Sequence, residues 1–173
     1  MGSSGVQLVL SDVDGTLLTS DKVLTDATVD AVRALHDAGI RFTVTSSRPP
    51  QGLAMLIEPL AIDVPIGAFN GGVFVESALR VIDQHPPAVD DATGAAAKVV
   101  GVGDDHPRVA AAEVSVGATI GDGGNDTLMF ARSGTSIAMG NASDEVKGEA
   151  TLVTASNDDD GFARAAHELV LPD

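Results

Sequence analysis

Two short acidic clusters carry the residues best suited to chemistry. One is Asp12-Val13-Asp14-Gly15-Thr16, and the other is Gly121-Asp122-Gly123-Gly124-Asn125-Asp126. Each directly follows an apolar run, at residues 6–10 and 117–120. Carboxylates gathered at the end of a buried run repel one another unless a cation sits among them. Neither cluster offers His or Cys, so the donors are oxygens alone. Such a set suits a hard cation, and Mg²⁺ is the commonest candidate. Asp12, Asp14, Asp122 and Asp126 are therefore the candidate ligands.

The same carboxylates can act on phosphorus. One can attack a phosphoryl group and form an aspartyl-phosphate. A second can protonate the leaving alkoxide and later activate water. Asp12 and Asp14 are two apart, so just past a strand end one can face the phosphate and the other the leaving group. Gly15 lets the backbone break away at that point. Ser46 ends another apolar run and can donate a hydrogen bond to a phosphoryl oxygen; equally, it can only cap the next helix. A turn at Asp14-Gly15 and a Gly/Asn loop capping a helix at 122–126 are the purely structural alternatives.

Strand and helix patterns alternate around these clusters. Residues 6–10 read as a buried strand. Thr25 can cap a helix whose Val29, Val32 and Leu35 share a face, with Gly39 placed to end it. Residues 40–45 form a second strand pattern, followed by Ser46-Ser47-Arg48-Pro49 and a helix reaching Ile57. Residues 65–69 form a third strand, ending in Asn70-Gly71-Gly72. Residues 73–82 alternate like a hairpin with a turn near Ser77. Residues 85–97 read as a linker, 99–102 as a strand and 109–114 as a short helix. Further strands are expected at 117–120, 135–139 and 152–153, with helices at 127–132, 143–147 and 161–170. The acidic run 157–160 reads as a solvated loop or a helix start. This alternation predicts a mostly parallel sheet between helical layers, a Rossmann-like three-layer α/β/α sandwich. In such a sheet ligands bind beyond the carboxyl ends of the strands, where all three chemical clusters fall.

Composition fits that reading. The chain has 173 residues, 44% of them hydrophobic, but aromatics make up only 3%. Its core must be aliphatic, as suits parallel strands covered by helices. The formal net charge of −15 repels nucleic-acid phosphates, and no Lys/Arg cluster offsets it, so no nucleic-acid partner is expected. Any phosphate site must be neutralised locally, by a metal or by backbone N–H groups. The absence of Cys excludes disulfide and thiolate chemistry. No stretch approaches the apolar length of a membrane span. Met1-Gly2-Ser3-Ser4-Gly5 has no signal-peptide pattern and reads in part as a cloning remnant, so a cytoplasmic location is expected. His36, His85, His106 and His167 are scattered and read as surface residues.

Together the motifs resemble a known family. Asp12-Val13-Asp14-Gly15-Thr16 resembles the DxDGT signature of the haloacid dehalogenase superfamily of phosphatases. Gly121-Asp122-Gly123-Gly124-Asn125-Asp126 resembles its GDGxND metal loop. The likeness is to the Cof-like branch, through Ser46-Ser47-Arg48, Asn70-Gly71-Gly72, Glu145-Val146-Lys147 and Val153-Thr154-Ala155-Ser156-Asn157. It covers residues 6–72 and 117–170. The resemblance implies that Asp12 is the nucleophile and Asp14 the general acid/base. It implies a Mg²⁺ held by Asp12, the Asp14 backbone carbonyl and Asp122, with Asp126 adjacent. Ser46 and Asn125 would contact the phosphoryl group or substrate.

The implied domain organisation is a catalytic core at 6–72 and 117–173, with 73–116 a reduced cap insert or linker. The family also places a lysine upstream of the metal loop. Lys98 lies at a suitable distance, although Val99-Val100-Gly101-Val102 after it reads as a strand, and an exposed surface lysine is the alternative. Arg48 reads as a structural salt-bridge partner rather than a ligand. Asn70 can orient substrate or only make its turn. The expected reaction is hydrolysis of a small phosphorylated metabolite, such as a sugar phosphate or a phosphoglycolate-like acid. Phosphotransfer to another sugar, or a cap-reduced core that binds Mg²⁺ and phosphate with little turnover, are the alternatives. A short cap leaves the site open, and a second copy of the chain covering it is one expected solution.

Overall fold

A computed structural model describes residues 6–84 and 116–171. The expected linker, strand and short helix at 85–114, together with Lys98, lie outside the described residues. Five parallel strands form the main sheet: β1 (Leu8–Ser11), β2 (Arg41–Val44), β6 (Val116–Gly121), β7 (Ser133–Ala138) and β8 (Leu152–Val153), in the order β2-β1-β6-β7-β8. Strand β1 lies inside the sheet, between β2 and β6, and is buried along its whole length. Its register sets Ser11 beside Val44 on one side and beside Ile120 on the other. The three strands therefore end level with one another, and whatever follows each of them meets at one edge.

Side-chain alternation along β1 divides the core. Val9 faces a layer built by α1 (Asp26–Asp37), α2 (Pro50–Ile57) and α5 (Gly161–Ala165). Leu8 and Leu10 face a second layer with Met129 and Phe130 of α3 (Thr127–Phe130) and Val146 of α4 (Asp144–Glu149). Helices thus cover both faces of a parallel sheet, the three-layer arrangement expected. Thr25 caps α1 by accepting the Thr28 N–H at 3.2 Å, and the helix buries Ala31, Val32 and Leu35. Phe162 of α5 meets Phe42 of β2 edge-on, with ring centroids 5.7 Å apart.

The third strand pattern departs from expectation. β3 (Ile66–Ala68) touches β2 through one parallel bridge, Thr45 to Gly67. It then joins β4 (Val73–Val75) and β5 (Val81–Gln84) in a separate antiparallel sheet. The local cause is a reversal after three residues, where Phe69 and Asn70 both adopt positive φ, 51° and 54°. The expected hairpin turn is present, closed by the Glu76 N–H to the Arg80 carbonyl at 3.0 Å. Residues 73–84 are the described part of the segment 73–116, expected as a reduced cap insert or linker. The final helix is also modified: after α5 the chain continues as one π-turn, Ala166–Val170. His36 is half-buried rather than on the open surface, with Nε2 screened and unpartnered among the described residues. No described helix is long and apolar enough to cross a membrane.

Candidate active site

The ends of β2, β1 and β6 adjoin, so residues far apart in sequence converge. Just past β1, the Asp12 N–H donates to the Ile120 carbonyl at 2.9 Å, which extends the pairing with β6 by one residue. This pins the Asp12 backbone and leaves its carboxylate almost wholly buried, 8% exposed. Past β6 a single 3-10 turn, Gly124–Asp126, brings Asp126 back toward the strand end. Asp126 Oδ2 accepts the N–H groups of Asp122 and Gly123 at 3.0 and 2.9 Å, and its Oδ1 accepts the Asn125 amide at 3.1 Å. One carboxylate oxygen from each of Asp12, Asp122 and Asp126 lies within 4.8 Å of the others.

Three carboxylates this close, mostly out of water, resist ionisation. Burial, and then the charge of Asp126, push Asp12 up to about 8. Burial similarly pushes Asp126 up to about 6, against the backbone N–H groups that favour its charge. Asp122 is raised by burial as well, opposed by hydrogen bonds from Thr16 and Asp12. A proton here does what a cation would do. The donors are all oxygens, their geometry is compact, and each carboxylate keeps unused lone pairs. That set fits a hard divalent cation better than a soft one.

Asp14 stands apart from the trio. Its carboxylate is gripped by Arg48 through two parallel bonds, Nε to Oδ2 and Nη2 to Oδ1, each 2.7 Å. Lys22 Nζ reaches Asp14 Oδ1 at 2.9 Å. Arg48 chiefly, with Lys22 adding to it, holds this carboxyl below the usual range despite some burial. Asp14 is therefore held in its ionised form, while Asp12 nearby favours its proton. Environments that push two carboxyl groups apart in this way assign them different tasks. Any metal ligand from Asp14 would be its backbone carbonyl, because the side chain is committed elsewhere.

The elements behind these cations are specific. Arg48 follows β2, and its Nη1 also donates to the Gly52 carbonyl at 3.2 Å, fixing the fork. Lys22 sits with φ 62° in the turn of a small flap, where the Thr19 N–H donates to the Val23 carbonyl at 3.0 Å. Ser20 ties that flap down, donating from N and Oγ to Asp158, both at 2.7 Å. Gly15 has φ +88°, and a Cβ there would overlap the Asp122 carboxylate, so only glycine fits on both counts.

The other expected site residues fall as follows. Ser46 lies at this edge, buried, with its peptide N–H on the Gly67 carbonyl at 3.0 Å. Its Oγ accepts the Arg48 N–H at 3.2 Å, so at rest it shapes the turn that aims Arg48. Asn125 is exposed and holds Asp126. Arg48 is a salt-bridge partner as expected, but of a site residue. Sequence reasoning missed Lys22, Thr16 and Asn141. Thr16 Oγ1 donates to Asp122 Oδ1 at 3.3 Å, and Asn141 Nδ2 donates to Asp122 Oδ2 at 3.1 Å. Asn141 follows the end of β7, so the strand-end rule that singled out the other clusters also reaches it. Lys22 has no comparable signal. The acidic run 157–160 is a 3-10 turn (Asn157–Asp159) leading into α5, a helix start as expected, with Asp158, Asp159 and Asp160 exposed; in addition Asn157 and Asp158 clasp the flap.

A family profile for haloacid dehalogenase-like hydrolases matches residues 9–98 and 112–165. The chain belongs to the haloacid dehalogenase-like hydrolases. Among curated relatives of this hydrolase, the 5-amino-6-(5-phospho-D-ribitylamino)uracil phosphatase YwtE of Bacillus subtilis is 49% identical over 79 residues. That match covers 46% of the chain and 27% of the relative. The phosphoglycolate phosphatase of Nitrosopumilus maritimus is 44% identical over 50 residues, covering 29% of the chain and 22% of the relative. The chain thus spans about a quarter of the length of the curated relatives it matches. Among solved structures, the haloalkanoate-superfamily phosphatase BT1666 from Bacteroides thetaiotaomicron superposes with a TM-score of 0.72. It is 23% identical, and the match covers 95% of each chain. A haloacid dehalogenase-like hydrolase from Bacillus subtilis also gives 0.72 at 18% identity, covering 95% of this chain and 100% of that one. At these identities the superpositions speak for a shared fold.

Proposed function

We propose that this hydrolase cleaves the phosphate monoester of a small phosphorylated metabolite, with Asp12 as nucleophile and Asp14 as proton carrier. The observation that carries this reading is the division of labour among the carboxylates. Asp12 belongs to a compact trio with Asp122 and Asp126, whereas Asp14, two residues on, is held apart by Arg48 and Lys22. The trio would hold Mg²⁺ together with the Asp14 carbonyl. When bound, the cation would offset the repulsion between nucleophile and phosphate and stabilise charge on the phosphoryl oxygens.

The protein's own residues do the rest. A carboxylate oxygen of Asp12 attacks phosphorus, and the bond from phosphorus to the ester oxygen breaks. That oxygen leaves with the electron pair and takes a proton from Asp14. Asp14 must therefore take up a proton from solvent when substrate enters, and it can do so by leaving the fork of Arg48 and the ammonium of Lys22. Once the alcohol has gone, Asp14 removes a proton from water. The resulting hydroxide attacks phosphorus, breaks the bond to Asp12 and releases inorganic phosphate. Ser46 and Asn125, at the same edge, would contact phosphoryl oxygens. The curated relatives named above act on a phosphorylated ribitylamino-uracil and on phosphoglycolate. They support a small phosphorylated metabolite as the substrate class. Phosphate release from p-nitrophenyl phosphate is expected with Mg²⁺, to stop with chelator and to return when Mg²⁺ is restored. A rate that ignores the chelator contradicts the role assigned to the trio.

A pH prediction follows from the same carboxylates. Unfolded, Asp12 and Asp126 ionise near 3.8; folded and metal-free, they are raised to about 8 and about 6. The folded state then binds more protons than the unfolded one across that interval, so stability falls as pH rises. The contribution is full below the unfolded value and is lost as pH climbs through the folded ones. A bound cation replaces those protons. In thermal unfolding, the metal-free melting temperature is expected to decline from about pH 5 to about pH 8, and the stabilisation by Mg²⁺ to grow over the same range. A Mg²⁺ effect that is flat across this range argues against a cation site in the trio.

A further inference from the structure

Asn141 lies outside the acidic clusters, yet it joins three segments of the site. Its Nδ2 donates to Asp122 Oδ2 at 3.1 Å and to the Gly15 carbonyl at 2.9 Å. Its Oδ1 accepts the Asn157 N–H at 3.0 Å. Both ends of the amide are thus occupied, which fixes which end is oxygen and which is nitrogen. Asn157 is itself locked, with Nδ2 on the Leu18 carbonyl at 2.9 Å and only 7% of its surface exposed. Backbone packing sets the position of the amide. The Met139 N–H donates to the Gly121 carbonyl at 2.9 Å, carrying the pairing of β7 with β6 past the strand end. Gly140 then lies flat against the backbone of residues 154–156, where a Cβ would overlap Ala155 and Ser156.

We propose that Asn141 is a positioning residue for the metal ligand Asp122. This rests on the reading of the Asp12, Asp122 and Asp126 trio as a Mg²⁺ site. A carboxylate oxygen has two lone pairs, and Asn141 occupies one on Oδ2 while Thr16 occupies one on Oδ1. The remaining lone pairs stay available to a cation, and an oxygen of this carboxylate lies within 4.8 Å of oxygens of Asp12 and Asp126. Without Asn141, and with a cation in place of the Asp12 proton, the long bond from Thr16 is the side-chain hydrogen bond left to this carboxylate among the described residues. The carboxylate must then be ordered when the cation binds, and that ordering weakens binding. Outer partners of metal ligands commonly contribute about 10- to 100-fold in affinity. Asn141 is exposed, and its replacement opens no core cavity.

The test is calorimetric titration of Mg²⁺ into metal-free wild type and Asn141→Ala, with metal-free melting temperatures measured alongside. The expected result is at least roughly tenfold weaker binding in the variant, with little change in metal-free melting. A dissociation constant within about twofold of wild type, in a folded variant, overturns the proposal. If Asn141→Ala melts well below wild type, Asn141→Ser, which keeps a polar but shorter side chain, is judged by the same two criteria. Wild type that takes up no Mg²⁺ overturns this proposal together with the reading of the trio. Tight wild-type binding that the variant preserves overturns this one alone.

Discussion

Asp12→Asn is expected to fold normally and to lose roughly a thousandfold or more in turnover, as removal of a covalent nucleophile does elsewhere. The amide has the shape of the carboxylate but cannot attack phosphorus. Its effect on stability should run the other way. Wild-type Asp12 is buried beside Asp126 and Asp122 and resists losing its proton up to about 8. A neutral amide carries no such penalty, so the metal-free variant should lose less stability than wild type between about pH 5 and about pH 8. Steady-state hydrolysis of p-nitrophenyl phosphate and thermal unfolding at several pH values check both parts. A loss below tenfold, or an unchanged pH dependence of melting, contradicts the assigned role.

Asp14→Asn is expected to lose roughly 100- to 10,000-fold with alkyl phosphates, the range typical of a general acid or base. Its two half-reactions should suffer unequally. The p-nitrophenolate group leaves without needing a proton, so formation of the phosphorylated enzyme from that ester is largely spared. Hydrolysis of the intermediate still needs a base, and the variant has none there. A burst of nitrophenolate followed by slow turnover is therefore expected in rapid mixing. The variant also strands two cations: Arg48, whose two 2.7 Å bonds need both carboxylate oxygens, and Lys22. Equal slowing of both steps, with no burst, would mean that Asp14 serves only to hold Arg48 and Lys22.

Most of the sheet was legible because its strands are short, buried on both faces and bounded by polar loops. Residues 6–10 and 117–120 could be assigned as strands without any partner in view, since an aliphatic run that ends in carboxylates has few other uses. That their ends converge follows from the parallel-sheet reading and the family resemblance, but which strands are neighbours does not. Only the parallel pairing of β1 with β6 brings Asp12 to Asp122 across more than a hundred residues. The third strand lies where its apolar pattern predicts and keeps one parallel bridge to β2, but that pattern does not tell that it pairs chiefly antiparallel with β4. What decides is the pair of left-handed residues at Phe69 and Asn70, a conformation that phenylalanine rarely adopts and that sequence does not announce.

The site was legible where residue type and position coincide, and obscure where a common residue gains its task from tertiary contact. The carboxylates of both clusters were identified by being crowded. Lys22 looks like any surface lysine until the flap, tied to Asp158 through Ser20, holds it over Asp14. The run from Asn157 to Asp160 reads as a solvated loop or a helix start, and polarity alone does not show that it also clasps the flap. Its bonds to Leu18, Ser20 and Asn141 are made to backbone and uncharged groups, which leave no charge pattern to read.

The claim that a carboxylate of Asp12 carries the phosphoryl group can be examined directly. Asp14→Asn would be mixed with p-nitrophenyl phosphate and Mg²⁺, quenched in acid within the burst, digested and analysed by peptide mass spectrometry. The expected result is one phosphoryl group on the peptide that spans residues 8–22, fragmenting to Asp12 and absent when Asp12 is also replaced by Asn. Turnover with no phosphorylated peptide at any quench time, or a phosphoryl group on another residue, would contradict it.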